Sequence, residues 1–319
     1  MTKPLVSVLI SVYNAGEYLR ASVQSILSQT YSNLEIIIIN DGSTDGCMGS
    51  IADLKDPRMR VISQENCGKA VALNSALKEL LGEFYAIHDA DDISYPQRIE
   101  RQVECMLENS KVAAVFAGHD IILDGRRLAP RFSAKSVEQC RQDIEQMRMP
   151  AHDPTGMFRM SMVSDLRYDP TLRVGQGWDY ILRVGELYPM KVLGECLYSY
   201  RCHFDSITRQ DWMRRKQKVR DVLRLACQRR GLNVDEYFRS ESVPPPVVLH
   251  RELETGIVPH FMESVLDLRR AGQNWQSLTT ALACLRLHSY DPYYYKPLIY
   301  FLTPLALIRY YRFRKLRSR

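Results

Sequence analysis

The chain has 319 residues, 45% hydrophobic and 25% charged, with a formal net charge of +6. That is the composition of an ordinary soluble globular protein, long enough for one large domain or one plus a smaller one. Its eight cysteines (47, 67, 105, 140, 196, 202, 227 and 284) form no Cys-x-x-Cys pair, which argues against a zinc site or a disulfide framework and for a reducing cytosol.

Leu5–Tyr13 is rich in Val and Ile and reads as a strand buried on both faces, not as a signal peptide, since no basic region precedes it. Asn14-Ala15-Gly16 breaks it. Glu17–Gln29 has helical spacing, with Leu19, Val23, Ile26 and Leu27 on one face. Strands follow at Leu34–Ile39 and Arg58–Ser63, then a helix from Asn66-Cys67-Gly68-Lys69 to about Leu81. A fourth strand, Glu83–His88, leads into Asp89-Ala90-Asp91-Asp92, ahead of a helix-like Pro96–Leu107. Val112–Ala117 is the fifth. Strand alternating with helix is the signature of a mostly parallel sheet covered on both faces.

The rhythm changes after residue 118. Ile121–Leu128 contains Asp124-Gly125, a hairpin signal. Ser136–Met147 and Trp178–Leu187 read as helices, Pro150–Arg159 as irregular to extended, and Met190–Tyr200 as extended. Trp212–Arg230 is a basic helix. Pro244-Pro245-Pro246 marks a boundary, and Gly256–Arg270 with Asn274–Leu287 forms an α-hairpin.

Three polar loops fall at strand ends, where open α/β sheets bind their ligands. Asp89 and Asp91, two residues apart, can point into one cleft, and carboxylate oxygens suit a hard divalent cation. Asn40–Asp45 is either a capped turn or a place for a carboxylate to accept from a base N–H or a ribose hydroxyl. Asn66-x-Gly-Lys is either a plain helix cap or a diphosphate site made of free N–H groups and a cation. There is no Gly-x-Gly-x-x-Gly after the first strand and no Gly-x-x-x-x-Gly-Lys-Ser/Thr, which disfavours a dinucleotide dehydrogenase and excludes a P-loop.

VSVLISVYNAGEYLRASVQSILSQTYSNLEIIIINDGSTDG, ENCGKAVALNSAL and AIHDADDISYPQRIERQ, in this order, resemble the family 2 glycosyltransferases of GT-A fold. HDPTGMFR, YDPTLRVGQGWDYILRV and LYSYRCHFDSIT resemble the acceptor half of the bacterial members, so the likeness covers about residues 5–210. It implies that Tyr13 and Asp41 line the nucleobase pocket, that Lys69 and Asn74 stand near the nucleotide, that Asp89 faces the ribose, and that Asp91 holds Mn2+ or Mg2+ against the diphosphate. His203 either adds a contact to metal or phosphate or is a packed or surface histidine.

Two positions depart from the family's pattern. Ser11 replaces a common Pro at the end of the first strand. Gln176-Gly177 stands where the family has an acidic pair that includes its catalytic base. The nearby acid, Asp179, is expected either to take over as base or merely to cap its helix, with Asp153 next in line. The implied reaction is inverting transfer from a nucleotide-sugar, a UDP-sugar by expectation, to a hydroxyl of a glycan or lipid-linked glycan. The rivals are a nucleotidyltransferase making nucleotide-sugars and a nucleotide-sugar-binding protein that has lost its base.

The expected organisation is a GT-A-like α/β catalytic domain over 1–210, with a nucleotide-sugar half (1–118) and an acceptor half (119–210), and a helical extension over 211–319. PLIYFLTPLALI (297–308) is too short to span a bilayer. Arg309, Arg312, Arg314, Lys315, Arg317 and Arg319 follow it without an acid. This end either lies in an anionic membrane surface or packs on the catalytic domain. A cytoplasmic protein, peripheral on the inner face of the cell membrane, is expected, with no nucleic-acid partner.

Overall fold

A computed structural model describes residues 3–123, 125–130, 132–202, 212–239, 257–287, 290–308 and 310. His203, the 244–246 prolines and most of the basic end lie outside the described residues. Four parallel strands form the heart of the sheet. β1 (Val6–Val12) lies between β2 (Leu34–Asp41) and β4 (Phe84–Asp89), and β3 (Met59–Gln64) flanks β2. Every β1 residue except Ser11 is buried, as a strand covered on both faces requires. The covering helices are α1 (Tyr18–Leu27), α2 (Lys69–Glu79) and α3 (Arg98–Glu108). Leu19, Val23 and Ile26 of α1 and Ile99, Val103 and Met106 of α3 complete one core with Val6, Val8, Ile36 and Phe84.

Beyond β4 the sheet continues through β8 (Met157–Arg159), β6 (Ala114–Leu123), β9 (Met190–Cys202) and β5 (Ile93–Ser94), with β7 (Arg126–Leu128) paired to β6. β8 is antiparallel to both β4 and β6, so β6 runs parallel to β4. The reversal of β8 is what the alternation of elements did not announce, and it matters for the site. The start of an antiparallel strand lies beside its neighbour's end, so the segment entering β8 reaches the carboxyl end of β4. The hairpin expected at 121–128 is the β6–β7 pair, with Gly125 at φ +72° in its turn.

The remaining helices are α4 (Val137–Glu145), α5 (Met160–Val163), α6 (Gln176–Leu187), α7 (Trp212–Arg229), α8 (Val234–Arg239), α9 (Ile257–Arg270), α10 (Asn274–Leu287) and α11 (Lys296–Leu302). Ser136 and Gln139 cap α4 reciprocally, each side chain bonding the other's backbone N–H. The contacts divide the chain into Met1–His119 with Phe132–Phe238, and Asp120–Arg131 with Arg239–Arg319. Within the second unit α9 and α10 form the expected hairpin, tied by the Ser277 hydroxyl to the Val265 carbonyl at 2.9 Å. Arg269 closes the end of α11 by donating to the Tyr300 and Thr303 carbonyls, both at 2.6 Å. Among the described residues no helix is long and apolar enough to cross a membrane.

Candidate active site

Asp89 is the last residue of β4, and the chain then turns sharply, the Asp92 N–H donating to the Asp89 carbonyl at 3.2 Å. Ligand oxygens of Asp89, Asp91 and Asp92 all lie within 4.8 Å of one another. Two residues of β9 hold this loop. The Tyr198 hydroxyl donates to Asp92 Oδ2 (2.7 Å) and accepts from the Asp89 N–H (3.2 Å). The Arg201 N–H donates to Asp92 Oδ1 (2.7 Å), and its Nε donates to the Asp91 carbonyl (2.8 Å).

The three acids are not equivalent. Asp92 is fully buried, and burial, with Asp91 and Asp89 beside it, pushes its carboxyl well above the usual range. It scaffolds the loop. Asp89 is partly exposed and accepts from Lys69 Nζ at 2.5 Å. Lys69 opens α2 behind Gly68, whose φ of +93° suits glycine. Burial alone would push the Lys69 ammonium down, but Asp89, Asp153 and Asp91 outweigh it and raise its pKa, so it stays charged. A side chain on Gly68 would meet the guanidinium of exposed Arg173 at 3.0 Å, which places a second cation by the same helix start.

The loops after β1 and β2 are joined to each other. Asn14 N–H donates to Ser43 Oγ (3.2 Å), and Thr44 N–H donates to Asn14 Oδ1 (2.8 Å). Tyr13, half exposed, stands at that rim. Asp41 is buried beneath and accepts from Gln64 Nε2, the Cys67 N–H and the Gly68 N–H at 2.7, 3.0 and 2.8 Å. Its visible work is to hold the loop that delivers Lys69. Asn74, expected near the nucleotide, spends both ends of its amide on the Tyr168 backbone, at 2.8 Å each.

Asp179, expected either as the base or as the cap of its helix, is held in ion pairs. It is 1% exposed, and its two oxygens accept from Arg183 Nε and Arg229 Nη1, each at 2.8 Å. Arg229 also pairs with Glu186, so the acid ties α6 to α7.

The segment entering β8 supplies an acid at the site. Asp153 begins a short 3-10 turn, Asp153–Thr155. Its Oδ1 is buried with no hydrogen-bond partner among the described residues. Burial pushes its carboxyl up to about 6, with Lys69 pulling it down and Asp89 pushing it up. A Cβ added at Gly177, in the first turn of α6, would lie 1.9 Å from Asp153 Oδ2. Arg98, fully buried on α3, donates from Nη2 to the carbonyls of Ile87 and Pro154, both at 2.8 Å, and so joins the end of β4 to this turn. Sequence reasoning assigned no role to Tyr198, Arg201, Arg98 or Arg173.

A family model described as glycosyl transferase family 2 matches residues 7–167. The Bacillus subtilis glycosyltransferase TuaG, assigned provisionally to teichuronic acid biosynthesis, is 32% identical over 221 residues, covering 67% of this chain and 86% of that one. Among solved structures, S. aureus TarS 1-349 in complex with UDP-GlcNAc gives a TM-score of 0.58 at 16% identity over 92% of this chain and 88% of that chain. The mannosyltransferase PcManGT from Pyrobaculum calidifontis, in complex with GDP-Man and Mn2+, gives 0.56 at 18% identity over 94% and 86%. At those identities the likeness is one of fold. Against several curated glycosyltransferases of Rickettsia and Haemophilus influenzae, this chain spans between 18% and 38% of the relative's length.

Proposed function

The chain belongs to glycosyltransferase family 2, and from that premise we propose that it moves a sugar from a nucleotide-sugar to a hydroxyl of a glycan or lipid-linked glycan, with inversion and with the help of Mn2+ or Mg2+. The observation that carries this is the acidic cluster at the carboxyl end of β4, with Lys69 aimed at it from the start of α2. The donor set fits a hard divalent cation, because all its atoms are carboxylate oxygens gathered within 4.8 Å. Asp91 and Asp89 would hold the ion, whose positive charge would ease departure of the nucleoside diphosphate. Lys69, Arg173 and the free N–H groups opening α2 suit the phosphates, which favour a helix N-terminus. Tyr13 offers its ring to the nucleobase above Asp41. The TarS complex with UDP-GlcNAc supports a UDP-sugar, and the Mn2+ complex of PcManGT supports the metal.

Calorimetric titration with UDP and GDP, with and without Mn2+, tests the reading. Binding of one nucleotide is expected, at least tenfold tighter with the metal. No binding under either condition refutes it, and pyrophosphate release during turnover would favour the nucleotidyltransferase.

An anionic membrane surface is proposed as a second partner, for a protein held at the inner face of the cell membrane. Ile299, Leu302, Leu307 and Tyr310 are exposed, and the sequence continues into six arginines and lysines from residue 309. Each such charge near an anionic surface adds about 1 kcal/mol. Vesicles containing phosphatidylserine are expected to bind the full chain at low salt and release it as salt rises; salt-independent or absent binding counts against the idea.

A further inference from the structure

We propose that Asp153, admitted to the site by the side-chain gap at Gly177, is the general base that takes the acceptor's proton. This rests on the reading of the chain as a glycosyltransferase.

Four observations converge on Asp153. The first is placement: the reversed β8 brings the 153–155 turn beside the end of β4, where the acidic loop begins. The second is rigidity. Pro154 is held by Arg98, the Thr155 carbonyl accepts from Gln102 Nε2 at 2.8 Å, and the Thr155 hydroxyl donates to the His152 carbonyl at 2.6 Å. A backbone fixed this way aims the side chain. The third is the gap: the carboxylate occupies volume that any side chain at 177 would claim.

The fourth is unmet hydrogen bonding. Among the described residues, Asp153 Oδ1 and Gln176 Oε1 are buried without a hydrogen-bond partner. Gln176 neighbours Gly177, and the Tyr168 phenol is electrostatically coupled to Asp153. Each orphaned polar atom costs about 1–3 kcal/mol. Such groups persist where an incoming ligand satisfies them, and a sugar hydroxyl is a ligand of that chemistry.

Three other acids of this region are committed elsewhere, Asp179 to two arginines, Asp92 to Tyr198 and Arg201, and Asp89 to Lys69, and Asp91 is the proposed metal ligand. The charged or titratable groups facing Asp153 are Lys69 from α2, Asp89 from β4 and Tyr168 from the segment before α6. No guanidinium pairs with it among the described residues. Its position near pH 6 leaves it ionised and weakly held at neutral pH, as a base should be. In the step, the acceptor's O–H proton passes to an Asp153 oxygen while the acceptor oxygen bonds to the anomeric carbon. The bond from that carbon to the diphosphate breaks, and its electron pair leaves on the nucleoside diphosphate.

The test uses the full chain with UDP-GlcNAc or GDP-mannose and Mn2+, reading nucleoside diphosphate release, alongside UDP or GDP titration. Asp153→Asn should lower kcat about 10²–10⁴-fold with nucleotide affinity nearly unchanged. Gly177→Ala should also lower kcat, because its methyl displaces the Asp153 carboxylate. The double variant Asp153→Gly with Gly177→Asp returns a carboxylate to the vacated space from α6, and should recover at least about tenfold of the lost rate.

Asp153→Asn should fold at least as firmly as the parent in metal-free buffer at pH 7.5. The folded carboxyl ionises near 6 and the unfolded one at 3.8. Its burial therefore opposes folding fully above about pH 6 and not at all below 3.8. An unchanged kcat in Asp153→Asn overturns the proposal. So does a lost kcat that comes with lost nucleotide binding and a lowered melting temperature, since that is the mark of a structural acid. A parent that binds neither nucleotide with Mn2+ defeats the glycosyltransferase reading itself, before Asp153 is reached.

Discussion

Asp91→Asn is expected to abolish sugar transfer and to remove the Mn2+ dependence of nucleotide binding, with the metal-supported affinity falling on the order of 100-fold. Asp91 and Asp89 are the half-buried members of the acidic trio, and Asp92 is its buried one. An amide keeps the shape of the side chain and removes the charge that a hard dication requires. The loop itself should survive. It is held through the Asp91 carbonyl by Arg201 and through the Asp92 carboxyl by Tyr198 and Arg201, and the substitution touches none of these bonds. The melting temperature of the metal-free variant should therefore stay close to the parent's. UDP titration with and without Mn2+ decides the matter. If the variant retains the parent's metal dependence, the acids hold the fold and the cation binds elsewhere.

The first 118 residues were legible because each element there carries its own period. β1, β2 and β4 are largely apolar runs, and α1 and α3 keep their apolar residues on one face. The acidic loop was legible because it follows directly from such a run. The rest of the site was not, because long-range pairing assembles it. Tyr198 and Arg201 reach the loop from more than a hundred residues away, and Asp153 arrives on a strand whose reversed direction no local pattern announces.

The setting of Asp179 has a geometric reason. Two residues along a helix amount to about 200° of rotation, so position 179 faces away from position 177 however close they stand in sequence. One signal was present: Arg183 lies four residues on, the spacing of a helical ion pair. Arg229, fifty residues away, could not be foreseen.

Arg98→Met is expected to be among the most destabilising single changes in the first unit. The side chain has no exposed surface and, among the described residues, no carboxylate in ion-pair contact, so its charge leans chiefly on hydrogen bonds. Nη2 donates to the Ile87 and Pro154 carbonyls at 2.8 Å, Nη1 to Ser94 Oγ at 2.9 Å and Nε to Gln102 Oε1 at 3.2 Å, while the guanidinium lies 4.9 Å from the Tyr198 ring centre. Burial lowers its pKa to about 10, against the pull of Tyr198, Asp92 and Asp89, and that still leaves it charged at neutral pH. The same burial, together with the Arg98 charge, lowers neighbouring His88 to about 3 and keeps it neutral.

Methionine fills much of the volume but leaves two buried carbonyls without donors, at roughly 1–3 kcal/mol each. The sum, on the order of 4 kcal/mol, corresponds to a fall in melting temperature of about 10 °C for a unit of this size. Arg98→Lys should recover little of it, since one ammonium cannot span acceptors that a planar fork reaches together. The loss should also appear in catalysis below the melting transition. Arg98 is the bond between the strand that ends in the acidic loop and the turn that presents Asp153, so loosening it should lower kcat more than nucleotide affinity. Thermal melts with turnover at 15 °C check both parts. A methionine variant that melts within about 2 °C of the parent and turns over normally would show that the two loops are held in register by something other than this arginine.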